Sequence, residues 1–210
     1  GFDIGTDKVS PQCRREIPHH LIDIIDDCSQ FNASQFLDLA HAAAAGTRAR
    51  GRLPLVCGGT ALYLRVMMRG IFPESQDRSW REQLKSEAAH LGWDALYREL
   101  AAIDPLYAGK ISPNDTVRVV RALEIYRKSG LPPTEAFRLS RSPFASDRFV
   151  RIGLQVDRDT LYRNIDRRVD RMLANGLVDE VRSLLASRPP SCPPFRSLGY
   201  KEILASRRGE

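Results

Sequence analysis

The sequence predicts an α/β fold in which a sheet-bearing core is interrupted by an inserted helical domain. Three observations carry that expectation. A short apolar run, Leu53-Pro54-Leu55-Val56-Cys57, ends at Gly58-Gly59-Thr60 and leads straight into a helical stretch, the strand, turn and helix unit of an α/β sheet. Residues 149–156 alternate, with Val150, Ile152, Leu154 and Val156 on one side, as a half-buried strand does. Between the two, from about residue 73 to 147, helical periodicity dominates. The expected division is therefore 1–72 and 148–210 for the core, with 73–147 as the insert.

In chain order, the first 30 or so residues read as irregular, with one apolar stretch at Leu21-Ile22-Asp23-Ile24-Ile25. Asn32 suits an N-cap, and an Ala-rich helix runs on to about residue 45. After the strand at 53–57, a helix covers 61–68 and stops at Gly70. Helices follow over about 79–91, 94–103 and 115–129, the last started by Asn114-Asp115-Thr116 and ended by Gly130. A stretch rich in Ser, Pro and Arg, 140–148, precedes the second strand. Helices at 159–174 and about 177–186 flank Asn175-Gly176, and the Pro-rich loop 189–194 leads to a final segment at 197–206.

Composition narrows the class. With 210 residues, 42% hydrophobic and 28% charged, the chain is neither disordered nor collagen-like nor a disulfide miniprotein. No apolar run approaches the ~20 residues of a membrane-spanning helix, so no membrane partner is expected. The net charge of +6 is uneven: residues 1–105 carry 12 basic and 14 acidic side chains, residues 106–210 carry 20 and 12. An anionic partner follows from that half. Of the 32 cations 27 are Arg, which suits phosphate recognition and equally a GC-rich genome. Cys13, Cys28, Cys57 and Cys192 form no close pair, so a metal knuckle is not expected and a reducing, cytoplasmic setting fits. His19-His20 reads as a hydrogen-bonded loop pair rather than a ligand set.

Two regions invite chemistry. Gly58-Gly59-Thr60 sits where a strand ends and a helix begins, the place where loop amides and a helix N-terminus attract anions; a tight turn capped by Thr explains it as well. In the helix from 159, Leu161, Ile165, Val169 and Met172 make an apolar stripe. Arg168 falls inside it, about 20° from Leu161 and about 40° from Met172 on the helical wheel. Such an Arg needs an anion, either a buried carboxylate or a bound phosphate. Arg163, Arg167 and Arg171 read as a solvated polar face. Arg118 and Arg121 lie near a helix start, against the dipole, which fits phosphate contact or plain surface solvation.

As an ordered set, these segments resemble the bacterial tRNA dimethylallyltransferases (tRNA isopentenyltransferases). The matching pieces are Asp3-Ile4-Gly5-Thr6, Pro18-His19-His20-Leu21-Ile22-Asp23, the run from Gly51 through Gly58-Gly59-Thr60 to Tyr63, Asp104-Pro105 and Pro113-Asn114-Asp115. Arg118-Val119-Val120-Arg121-Ala122-Leu123-Glu124, Met172-Leu173-Ala174-Asn175-Gly176-Leu177 and Leu198-Gly199-Tyr200-Lys201-Glu202 complete it. The resemblance implies a P-loop-NTPase-like parallel sheet core with a helical insert that grips the anticodon stem-loop, and nucleotide binding of the ATP type. It implies transfer of a dimethylallyl group from dimethylallyl diphosphate, with Mg²⁺, to N6 of the adenosine beside the tRNA anticodon. By that resemblance Thr60 and Arg168 are the catalytic positions, and Arg168 with Arg158 contacts the diphosphate. Thr60, Arg81, Arg118, Arg121, Arg196, Gly199, Tyr200 and Lys201 fall at tRNA-contact positions. The family's phosphate loop and its general-base Asp lie upstream of Asp3-Ile4-Gly5-Thr6, so the chain is expected to be an internal fragment, inactive alone and monomeric. The alternatives are a non-catalytic tRNA-binding fragment and an adenylate isopentenyltransferase of cytokinin synthesis.

Overall fold

The computed structural model describes residues 1–26, 28–72 and 79–208. Their regular structure is helical: α1 (Pro11–Glu16), α2 (Ala33–Ala49), α3 (Ala61–Arg69), α4 (Ser79–Leu91), α5 (Trp93–Ile103), α6 (Pro105–Ala108), α7 (Thr116–Ser129), α8 (Pro133–Leu139), α9 (Arg158–Ala174), α10 (Leu177–Ser187), a 3-10 turn at Pro193–Arg196, and α11 (Tyr200–Arg208). The chain forms two compact units, one of residues 1–32 with 148–210 and one of residues 33–147. The boundary expected at residue 73 lies outside the described residues.

The expected parallel sheet core is not there. No β-strand forms among the described residues, and the two stretches read as strands are not paired into a sheet. Alternation specifies a face, but a strand exists only when a second strand takes up its backbone N–H and C=O groups. Lacking that, the apolar side chains stay in water: Leu53 is 88% exposed and Leu154 94%.

In the 33–147 unit, α4, α5 and α7 meet around Leu84, Ala88, Leu96, Leu100, Ala122 and Leu123. Their apolar residues recur every three or four positions, so each helix turns one face inward. Asp104 is buried and joins two elements. It caps α6 through the Tyr107 N–H (2.9 Å) and holds the start of α8 through the Thr134 N–H (2.6 Å) and hydroxyl (3.0 Å). Burial pushes its carboxyl up, and these hydrogen bonds outweigh that and hold it below the usual range. Arg127 forks onto Glu87 at 2.7 and 2.6 Å. Phe36 of α2 stacks on Tyr63 of α3, centroids 4.1 Å apart.

The other unit centres on Phe2, Leu177, Val181, Leu184, Phe195 and Tyr200. Phe2 meets the edges of Phe195 and Tyr200 at 4.9 and 5.0 Å. Here a second expectation fails. Cys28 and Cys192, read as unpaired thiols in a reducing setting, form a disulfide across 164 residues of sequence, Cα atoms 4.8 Å apart. Sequence spacing carries no sign of such a pairing; Cys13 and Cys57 are free and exposed. α9 has no fully buried residue, and of its expected apolar stripe only Met172, partly buried, packs against this core.

Candidate functional site

In the unit of residues 1–32 and 148–210, the turn after Phe2 and the C-terminal half of α9 enclose a cavity of about 250 Å³. It is lined by Asp3, Ile4, Asp7, Lys8, Arg168, Arg171, Met172 and Asn175. Arg168 reaches it from α9 and meets Asp7 at 3.1 Å. Its side chain is 47% exposed, so the expected guanidinium aimed into a core is instead a half-open one on a cleft wall. Arg158 does not line the cavity. It lies about 15 Å back along the helix, its Nε donating to the Tyr162 hydroxyl at 3.2 Å and its guanidinium 5.6 Å from that ring.

The turn that carries Asp7 and Lys8 is fixed by Glu180 of α10. Its carboxylate accepts the N–H groups of Asp3 (3.0 Å), Ile4 (2.9 Å) and Gly5 (3.4 Å), and the Tyr200 hydroxyl donates to it at 2.5 Å. The Gly5 N–H also reaches the Tyr200 oxygen at 3.1 Å. Burial, then the bond to Glu180, pushes the Tyr200 hydroxyl well above its usual range. Tyr200 is 0% exposed. Its side chain belongs to the core and its hydroxyl is hydrogen-bonded there. Its neighbours differ. Arg196 and Lys201 are exposed, Lys201 lies 3.5 Å from Glu202, and Gly199 takes a positive φ of 90° while its N–H donates to Glu202 at 2.7 Å.

On the far side of the same turn, Lys8 bridges Asp3 and Asp23, and Asp23 also meets Arg14 at 2.8 Å. Burial opposes the Lys8 charge, but Asp23 and Asp3 raise its affinity for the proton overall. Hydrogen bonds from Lys8 and then Arg14 hold the Asp23 carboxyl down at about 2. Asp7, Leu21 and Asp23 all have positive φ, 52°, 61° and 56°. For Leu21 that is a costly conformation, and it marks this segment as one held in place by its surroundings.

In the unit of residues 33–147, Thr60 stands at the N-cap of α3 and its hydroxyl makes no capping bond. A Cβ added at Gly58 or Gly59 meets nothing within 4 Å, and neither glycine has a positive φ, so the fold of this unit does not itself demand glycine there. Arg81 and Arg121 converge on Glu124, which is 1% exposed, at 2.9 and 3.3 Å; Arg121 also donates to the Phe72 carbonyl at 2.9 Å. The second Glu124 oxygen, Oε1, is buried without a hydrogen-bond partner. Arg118 is 63% exposed and pairs at 2.9 Å with Asp115, the N-cap of α7, which offsets the conflict with the helix dipole. Sequence reasoning missed Asp7, Glu180 and Glu124. Glu180 reads as an ordinary first-turn acid of α10, and nothing local announces partners more than 170 residues away. Among the described residues no group of three His, Cys, Asp or Glu side chains is placed to hold a metal ion, and no helix is long and apolar enough to cross a membrane.

Compared with known proteins, the family model described as IPP transferase matches residues 1–210. The chain belongs to the IPP transferase family. A tRNA dimethylallyltransferase of Geobacter metallireducens is 42% identical over 215 residues, covering 100% of this chain and 69% of the relative. Another, from Thermomicrobium roseum, is 44% identical over 213 residues, 100% of this chain and 64% of the relative. This IPP transferase chain thus spans about two thirds of the length of such relatives. Among solved structures, the full-length tRNA isopentenylpyrophosphate transferase of Bacillus halodurans matches with a TM-score of 0.63 at 37% identity, over 99% of this chain and 65% of that one. A eukaryotic dimethylallyltransferase acting on tRNA matches with a TM-score of 0.81 at 28% identity, over 100% of this chain and 54% of that one.

Proposed function

We propose that the chain is part of an enzyme that transfers a dimethylallyl group from dimethylallyl diphosphate to N6 of the adenosine beside a tRNA anticodon. The observation that carries this reading is family membership over the whole chain, with relatives that are tRNA dimethylallyltransferases. The cationic wall of the 250 Å³ cleft supports it. In the reaction, the adenosine N6 lone pair forms a bond to C1 of the dimethylallyl group. The C1–O bond breaks, diphosphate leaves with the electron pair, and the N6 proton passes to a base. Reaching N6 requires the adenosine to leave its stack. The protein's part is then to position the reactants and to stabilise the charge of the departing diphosphate.

In this proposal Arg168 contacts the diphosphate in place of Asp7, with Lys8 adding charge at the same cleft. Arg158 serves that diphosphate only after leaving Tyr162. Thr60 offers its uncommitted hydroxyl to the substrate, and Gly58-Gly59 leaves room for close approach. Arg81, Arg118, Arg121, Arg196, Gly199 and Lys201 supply contacts to the tRNA. The described carboxylates do not form a cage for Mg²⁺. Among the described residues nothing fits the ion, and no step here runs through it. A monomer completes the reading.

The test uses Arg168→Ala and dimethylallyl diphosphate binding by calorimetry. An ion pair this exposed contributes only about 0–1 kcal/mol to stability, so melting stays close to wild type while affinity falls at least about tenfold, the scale of one charged hydrogen bond. Equal affinity in variant and wild type sinks the diphosphate site.

A further inference from the structure

We propose that Arg163, Arg167 and Arg171 of α9 form a contact surface for the sugar–phosphate backbone of RNA. The proposal rests on the tRNA reading above and adds a surface that the resemblance does not assign. The sequence alone reads these residues as a solvated face, and the structure gives three reasons to read them otherwise.

First, none of them forms an ion pair. In the same unit Lys8, Arg14, Arg168 and Arg182 each meet a carboxylate, whereas among the described residues none of these three does. Arg163 donates to the Thr160 hydroxyl at 2.7 Å, Arg167 to the Asn164 side-chain oxygen at 2.7 Å and the Arg163 carbonyl at 3.3 Å, and Arg171 to the Arg167 carbonyl at 3.4 Å. All four acceptors are neutral. Asp166 shares a shallow groove with Arg163 and Arg167 but pairs with neither. Like charges at every fourth position repel, and Asp159, Asp166 and Asp170, three or four positions from members of the row, offset part of that without forming an ion pair with any of them.

Second, the row is ordered. Successive members lie about 6 Å apart along the axis, and the bonds just named lay each guanidinium back along the helix toward its N-terminus. A single phosphate ligand meets one or two of them; a chain of phosphates meets all three.

Third, the row is centred opposite Leu161, Ile165, Val169 and Leu173, which are all exposed. A helix lying on a bilayer puts its apolar face inward. The centre of its polar face then points away from the headgroups, so this placement favours RNA over a lipid surface.

The experiment measures binding of a labelled anticodon stem-loop RNA across a salt series. It compares the wild-type chain, a variant with Arg163→Gln, Arg167→Gln and Arg171→Gln together, and Asp166→Asn. Losing three phosphate contacts lowers the log–log salt slope by about 2–3. Asp166→Asn removes the negative charge beside the row and tightens binding. An unchanged slope in the triple variant, or an unchanged affinity in Asp166→Asn, overturns the proposal. So does a triple variant that loses binding to phosphatidylserine vesicles while keeping RNA affinity. If the wild-type chain does not bind the stem-loop at all, the tRNA reading falls as well; if it binds with only the slope unmoved, this proposal alone falls.

Discussion

Gly5→Ala tests the packing that holds the cleft-forming turn. A Cβ at this position comes within 2.5 Å of Cε2 and 2.7 Å of Cζ of Tyr200, and 3.0 Å of Cδ1 of Leu177. The Tyr200 ring cannot step aside. It is 0% exposed, lies edge-on to Phe2 at 5.0 Å and is tied to Glu180 by its hydroxyl. Overpacking of this kind costs about 1–3 kcal/mol, and displacing the ring gives up the bond from the Gly5 N–H, about 1 kcal/mol more. The expected total is about 2–4 kcal/mol, which for a unit of this size lowers Tm by about 10–20 °C. The assay is thermal unfolding of wild type, Gly5→Ala, Tyr200→Leu and the double variant. In the Tyr200→Leu background the penalty of Gly5→Ala falls below about 1 kcal/mol, because the clashing atoms are gone. A variant that melts like wild type, or a penalty of equal size in both backgrounds, refutes the reasoning.

Three further outcomes follow from the same geometry. Asp23 is held at about 2 against an ordinary 3.8, so its ion pairs with Lys8 and Arg14 stabilise the fold above about pH 4 and are lost as pH falls toward 2. The stability gap between wild type and Asp23→Asn therefore closes across that window; a gap independent of pH between 5 and 2 contradicts the assignment. Cys28 and Cys192 are bonded while Cys13 and Cys57 are free, so thiol titration of the denatured chain gives two thiols before reduction and four after. Reduction then lowers stability by about 2–4 kcal/mol; four thiols without reductant would falsify the pairing. Arg118→Ala leaves helix content unchanged and lowers the salt slope of stem-loop binding by about 1, and an unchanged slope excludes a phosphate contact there.

The helices were largely legible. The expected 79–91, 115–129 and 159–174 correspond to α4, α7 and α9 within one residue at each end, because apolar period and capping chemistry act within a few residues. The short helices α1, α6 and α8 were not read, although Ser10, Asp104 and Pro132 each precede a proline at a first helical position. Such residues signal turns and helix starts alike. Val150, Ile152 and Leu154 announce a face and nothing in their spacing announces a partner strand, so the sequence predicts a sheet that does not form among the described residues. Arg168 was found by its place on the wheel, yet its environment was not, since Asp7 lies 161 residues away in the chain. Tyr200 was placed at the tRNA by resemblance, while its burial depends on Phe2, Gly5 and Glu180, contributed by segments far from it in sequence.

Prenyl transfer itself is the most direct test. An anticodon stem-loop RNA and labelled dimethylallyl diphosphate are incubated with this chain and, separately, with a longer polypeptide that contains it, and the RNA is read by mass spectrometry. The account predicts stem-loop binding by the chain, and one dimethylallyl group on N6 of the adenosine beside the anticodon from the longer polypeptide, lost in Arg168→Ala. No transfer by the longer polypeptide, or transfer that Arg168→Ala leaves untouched, contradicts it.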